Sequence, residues 1–172
     1  MLTLREYKAE DARLVVTWFT DREMFEMWNA NKYDHYPISA QDMNDFYDAQ
    51  KSVEGVMTGD NFWAMTALDD DKVVGHLLMH YLDKEKETIK FGCIIVDGNI
   101  RGKGYGSKML ELAIDYAFNE KGAKKVTLGV FENNQRAIKC YDRLMFKPEY
   151  DEILNGCGKD CRIIHVSKTK AI

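Results

Sequence analysis

Apolar residues recur along this chain with two different periods, and the changes of period mark out the elements. Leu2 to Tyr7 alternates apolar and polar positions as a half-buried strand does, and Ala12, Val15, Val16 and Phe19 then follow at helical spacing. Asp21 stands where it would cap a second short helix carrying Met24, Phe25 and Trp28 on one stripe. Ser39 with Asp42 three residues on has the form of a capping box, and Ile38 and Met43 sit where a hydrophobic staple would, so a helix is expected over 40–51. Three β-favouring runs come next: "NFWAMTAL", "KVVGHLLMHYL" and "ETIKFGCIIV". The triplet Asp69-Asp70-Asp71 and the charged turn 84–86 separate them, so they read as a meander. Beyond Gly106 the period returns to that of a helix on Leu110, Ala113, Ile114 and Ala117, with Gly122 as its stop. A strand on Val126, Leu128 and Val130, a helix over 134–144 ending before Pro148, and two last strands near 148–153 and 162–168 complete the pattern. It predicts an α/β fold with a mixed, mostly antiparallel central sheet flanked by helices, and one domain over residues 1–172.

The chain has 172 residues and a formal net charge of −4. That balance argues against a nucleic-acid footprint, which would show a basic face. No apolar run approaches the roughly 20 residues of a membrane span, and no signal segment opens the chain. Four cysteines, Cys93, Cys140, Cys157 and Cys161, are expected to be reduced. A cytoplasmic protein with no membrane partner is the expectation. Residues 1–60 hold 6 Lys/Arg against 12 Asp/Glu, whereas the remainder is weakly basic.

The candidate chemistry lies in "IRGKGYGSKML", between the strand ending at Val96 and the long amphipathic helix. Gly102, Gly104 and Gly106 carry no Cβ and tolerate positive φ, so backbone N–H groups can converge where a helix N-terminus already concentrates positive potential. Arg101 and Lys103 add charge at the rim, which suits a diphosphate. The spacing is not that of a P-loop, because Gly104 follows Lys103 and Asp97 stands five residues before Gly102. It is not the dinucleotide fingerprint either, because Ser107 occupies the third glycine position.

"VDGNIRGKGYGSKML" resembles the acetyl-CoA signature of the GNAT acetyltransferase superfamily, whose pattern [QR]-x-x-G-x-[GA] is matched by Arg101, Gly104 and Gly106. "VFENNQRAIKCYDRLMF" resembles that family's strand, asparagine, helix and tyrosine segment, and "LTLREYKAEDARLVVTWFTD" the opening of members that acetylate amines. The likeness runs from Leu2 to about Pro148. It implies that Ile94, Ile95 and Val96 offer backbone to the pantetheine arm. It implies further that Gly102, Lys103, Gly104, Tyr105, Gly106 and Ser107 wrap the pyrophosphate with Arg101, and that Asn134 binds near the pantetheine while capping its helix. Tyr141 is then the general acid for the departing thiolate. The implied activity is direct acetyl transfer from acetyl-CoA to a primary amine of a small molecule or protein, with the acidic first third drawing in a cationic acceptor. A non-catalytic acyl-CoA-binding module and an enzyme using another acyl-CoA are the alternatives.

Some positions depart from the pattern or stand outside it. Met145 replaces a glycine that usually follows the tyrosine helix, so the left-handed stop there is expected to be disfavoured. Cys157, Cys161 and His165 have a ligand-like but non-standard spacing, and no metal is expected. His76 and His80 share one face of a strand and read as a core or surface pair. Glu87, Glu132 and the acidic residues of the first third are candidate bases among which the residues do not choose. Edge strands at the C-terminus are compatible with a homodimer.

Overall fold

The computed structural model describes residues 1–29, 31–155 and 160–172. Seven strands form one sheet: β1 (Leu2–Glu6), β2 (Phe62–Asp69), β3 (Lys72–Tyr81), β4 (Thr88–Val96), β5 (Lys125–Phe131), β6 (Lys147–Asn155) and β7 (Asp160–Thr169). Their spatial order is β1-β2-β3-β4-β5-β7-β6. Every neighbouring pair is antiparallel except β4 and β5. The expected meander is present. Asp70 and Asp71, both at positive φ (46° and 69°), make the two-residue turn that matches the twist of β2 and β3.

Two helical layers cover the two faces. On one, α4 (Tyr105–Asp115) and α5 (Gln135–Arg143) bury Met109, Leu110, Ala113, Tyr141 and Leu144 against β2–β5 and β7. On the other, α1 (Ala12–Val15), α2 (Arg22–Asn29) and α3 (Ala40–Ser52) pack Val15, Phe25, Trp28, Met43 and Tyr47 against β2, β3 and β4. The first helical segment is α-helical only over its four central residues, with three-ten turns on either side. α4 closes in a π turn over Tyr116–Glu120, after which Gly122 takes φ +71°.

The local signals act as the residues dictate. Asp42 donates its backbone N–H to Ser39 Oγ at 3.1 Å and accepts the Ser39 N–H at 2.7 Å, closing the capping box, and both staple residues are buried. Asp21 Oδ1 accepts the Met24 N–H at 2.8 Å. Asp11 is almost wholly buried. Burial works against its charged form, yet the bidentate Arg5 fork (2.7 and 2.8 Å), the Lys8 N–H and the Thr66 hydroxyl hold its carboxyl below the usual range. His76 is fully buried against the Tyr47 hydroxyl at 2.6 Å, and burial pushes its pKa down to about 3, so the ring is a neutral core group.

The expectation for Met145 is overturned. It adopts φ +67° without glycine. The Met145 N–H donates to the Asp142 carbonyl and the Phe146 N–H to the Tyr141 carbonyl, both at 3.0 Å, and the Tyr141 and Phe146 rings meet edge-on at 6.0 Å between centroids. That is a complete Schellman stop, including its apolar contact, which holds a methionine in a conformation costing about 1 kcal/mol. Met145→Gly is therefore expected to raise stability by about 0.5–1 kcal/mol, read as a rise of about 2 °C in the thermal midpoint.

Candidate active site

β4 and β5 are paired over only three positions, Thr88 with Lys125, Ile89 with Val126 and Lys90 with Thr127. Beyond them the strands part. From Gly92 to Val96, β4 has no backbone partner on its β5 side among the described residues, while its other edge pairs with β3. A wedge thus opens in the middle of the sheet, at the carboxyl ends of its two parallel strands, where open α/β sheets place their ligands.

A bulge accompanies the parting. Leu78 pairs with Gly92 and His76 with Ile95, so Cys93 and Ile94 together oppose Leu77. Cys93 takes φ +49°, and its carbonyl accepts the buried indole N–H of Trp28 at 2.8 Å. The extra residue reverses the faces of the strand. Ile89 and Phe91 point into the α4/α5 core, but after the bulge it is Ile94 and Val96 that do so, while Cys93 and Ile95 turn toward α1–α3. The expected backbone segment Ile94-Ile95-Val96 is thereby set along the open edge.

The glycine loop lies at the mouth of the wedge. Gly102 and Gly104 adopt φ +83° and +84°, and a Cβ on Gly104 would meet nothing within 4 Å. Gly106 differs from expectation: it lies in the first turn of α4 with no positive φ, so its bareness serves only close approach. Among the described residues no side chain caps this helix, and the N–H groups of its first turn, including Tyr105, Gly106 and Ser107, have no intrahelical acceptors. Such a set fits a pyrophosphate without further arrangement.

Side chains around the loop divide between holding and presenting. Tyr105 donates its hydroxyl to Asp69 Oδ2 at 2.6 Å, tying the loop to the β2–β3 turn, and Ser107 Oγ lies 3.2 Å from Cys140 Sγ, tying α4 to α5. Arg101 is half-buried. Its Nε donates to the Val96 carbonyl at 3.3 Å and its guanidinium lies against Met24, so it braces the loop from within and does not stand at the rim. Lys103 is exposed. A second cation, absent from the sequence expectations, is Arg136, whose guanidinium comes within 4.0 Å of the place a Gly102 Cβ would occupy. Only its position two residues after Asn134, in the first turn of α5, hinted at that. Trp28 was likewise legible as an apolar helix residue and not as the donor that pins the bulge.

Asn134 Oδ1 accepts the Ala137 N–H at 3.2 Å and so caps α5 as expected. Tyr141 is buried among the α4/α5 core residues. Burial pushes its hydroxyl well above the ordinary tyrosine range, so it remains a proton donor at any physiological pH. Of the candidate bases, Glu87 is ion-paired to Lys124 at the closed end of the β4/β5 pair, and Glu132 lies 3.7 Å from Arg162 on the surface. Much of the acidic first third is also engaged: Asp11 in the core, Asp21 and Asp42 as caps, and Asp34 with His35. Cys157 lies outside the described residues; His165 lies beside Glu152.

An uncapped helix N-terminus, a bare loop and an unpaired strand edge thus lie side by side. A model of the acetyltransferase (GNAT) family matches residues 21–146, and the chain belongs to that family of acyltransferases. An uncharacterized N-acetyltransferase, p20, of Bacillus licheniformis is 26% identical over 148 residues, covering 86% of this chain and 80% of its own. The spermine/spermidine N(1)-acetyltransferase of Bacillus subtilis (strain 168) is 36% identical over 74 residues, 43% of this chain and 49% of that one. The crystal structure of spermidine N-acetyltransferase from Vibrio cholerae in complex with CoA and spermine superposes with a TM-score of 0.79 over 98% of this chain and 95% of that one. At 19% identity that likeness establishes the shared fold.

A methyl at Gly104 is expected to separate stability from binding. With open space around it, Gly104→Ala should cost only about 1 kcal/mol of folding stability through the left-handed backbone. Calorimetry should show CoA binding weakened by about tenfold or more, because the methyl occupies the space over the helix N-terminus.

Proposed function

We propose that this protein transfers the acetyl group of acetyl-CoA directly to a primary amine, with Tyr141 as the acid that protonates the departing sulfur. The observation that carries the reading is the parting of β4 from β5 after three pairs, beside a loop whose first-turn N–H groups are uncapped. Gly102 to Ser107 with Lys103 and Arg136 hold the pyrophosphate, and the free edge of Ile94-Ile95-Val96 pairs with the pantetheine amides. Asn134 fixes the start of α5 and hence the height of Tyr141, about two helical turns further on. A β4 N–H at the open edge steadies charge on the carbonyl oxygen. No cysteine is needed as a nucleophile: Cys93 is fully buried with its thiol pushed up by burial, which leaves it a poor one.

The acceptor is an amine; burial lowers the pKa of His80 and Lys90, and the charge of Lys32 on both and of Lys90 on His80 lowers them further. The acidic excess of residues 1–60 is thus set beside local cations and does not by itself define the acceptor's charge.

Thermal unfolding with acetyl-CoA, CoA, succinyl-CoA, NAD and ATP tests the cosubstrate. At about 100 times its dissociation constant a ligand adds about 2.7 kcal/mol, a rise of about 5–10 °C for a chain this size, and only the CoA compounds should give it. Thiol release in the presence of a panel of primary amines then tests transfer; CoA binding with no release for any amine would favour the non-catalytic module. Tyr141→Phe is expected to lower kcat by at least about tenfold with CoA affinity unchanged, and an unchanged kcat would remove the hydroxyl from the mechanism.

A further inference from the structure

The bulge in β4 is held by a side chain to which the reading above gives no part in the chemistry. Trp28 of α2 is buried, and its indole N–H donates to the Cys93 carbonyl at 2.8 Å. Two rings fix the indole: Tyr33 stacks on it at 6.0 Å between centroids and 6° between planes, and Phe19 leans against it at 4.7 Å. Tyr33 is fixed in turn by the buried Asn29. The Asn29 Oδ1 accepts the Tyr33 N–H at 2.7 Å, and its Nδ2 donates to the Tyr33 carbonyl at 2.9 Å. A line of contacts therefore runs from Asn29 through Tyr33 and Trp28 to one carbonyl of the strand that borders the wedge.

The position of that carbonyl gives the contact its meaning. Cys93 and Ile94 fall outside the regular register with β3, and both lie beyond Lys90, the last β4 residue paired with β5. Cys93 keeps φ +49°, a conformation that a residue other than glycine holds only where its surroundings over-determine it. The Cys93–Ile94 peptide is trans, so its N–H points opposite to its C=O. Trp28 draws the carbonyl toward the α1–α3 face. The Ile94 N–H is thereby turned away from α2, toward the α4/α5 side, where Tyr141 lies in the core against which Ile94 packs.

We infer that Trp28 is a positioning residue for acyl transfer: by holding the Cys93 carbonyl it aims the Ile94 N–H at the thioester oxygen. This rests on the acetyltransferase reading, and it gives the oxyanion donor of that reading a residue and a support. As the amine nitrogen bonds to the carbonyl carbon, the carbonyl π pair moves onto oxygen, where the Ile94 N–H meets the developing charge. When the pair returns, the carbon–sulfur bond breaks. The sulfur leaves with the bonding pair and takes the Tyr141 proton; the nitrogen's proton passes to water, from which Tyr141 recovers its own. The Ile94 carbonyl and the backbone of Ile95 and Val96 are left for the pantetheine arm. Trp28 touches none of the reacting atoms. Its effect falls on kcat, because a misaimed donor is lost to the transition state while the cosubstrate stays bound through the glycine loop.

The experiment compares wild type, Trp28→Phe and Tyr33→Leu. It reads kcat and KM with the best primary amine from the panel, CoA affinity by calorimetry and the thermal midpoint without ligand. Trp28→Phe keeps an aromatic ring and removes the N–H. It is expected to lower kcat by at least about tenfold, with CoA affinity and the amine KM within about threefold of wild type. Tyr33→Leu keeps the hydrogen bond but frees the indole it braces, and is expected to give the same split at about threefold in kcat. A lowered thermal midpoint with kcat of Trp28→Phe within about twofold of wild type would make the contact merely structural and overturn the inference, leaving the acetyltransferase reading standing. A parallel loss of kcat and CoA affinity would overturn it too, because Trp28 would then hold the whole cosubstrate site and not one donor. Should Trp28→Phe fail to fold, Tyr33→Leu with the kcat of wild type would decide against the inference. Wild type that binds CoA but acetylates no amine would overturn both readings.

Discussion

The structure depends on one interruption of hydrogen bonding: two parallel strands that pair three times and then part. A strand edge inside a sheet carries N–H and C=O groups that must find partners, since leaving them bare in a half-buried setting costs about as much as the bonds themselves. The chain tolerates the interruption because each strand is secured on its other side, β4 by β3 and β5 by all seven of its pairs with β7. The parting is thus an opening built into the frame. A ligand with amides along its length can complete the ladder that the protein leaves open.

The bulge at Cys93 follows from the same constraint. To leave β5, β4 has to bend, and the added residue supplies the bend while the Trp28 indole satisfies the carbonyl it displaces. Reversal of the strand's faces then lets Ile94 and Val96 pack against α4, whose N-terminus must meet the glycine loop, while Ile95 closes the opposite core. α2 thereby becomes part of the site without touching the loop's backbone, through Trp28 on the bulge and Met24 against Arg101.

Features encoded within a few residues of one another were legible in the sequence. The capping box at Ser39, the cap at Asn134, the aspartate turn of β2 and β3, the periodicity of α4 and the bare loop all rest on short-range chemistry. What was not legible depends on distant partners. "ETIKFGCIIV" reads only as a β-favouring run, because the one-residue phase change at Cys93 falls among consecutive apolar residues that hide it. The insertion of β7 between β5 and β6 is a pairing choice that no local pattern records. Arg136 joins the loop only because α5 packs beside α4, and Arg101 leaves the rim only because Met24 and the Val96 carbonyl hold it. At Met145 a local rule was outvoted: the two Schellman bonds and the Tyr141–Phe146 contact together outweigh the strain of one residue.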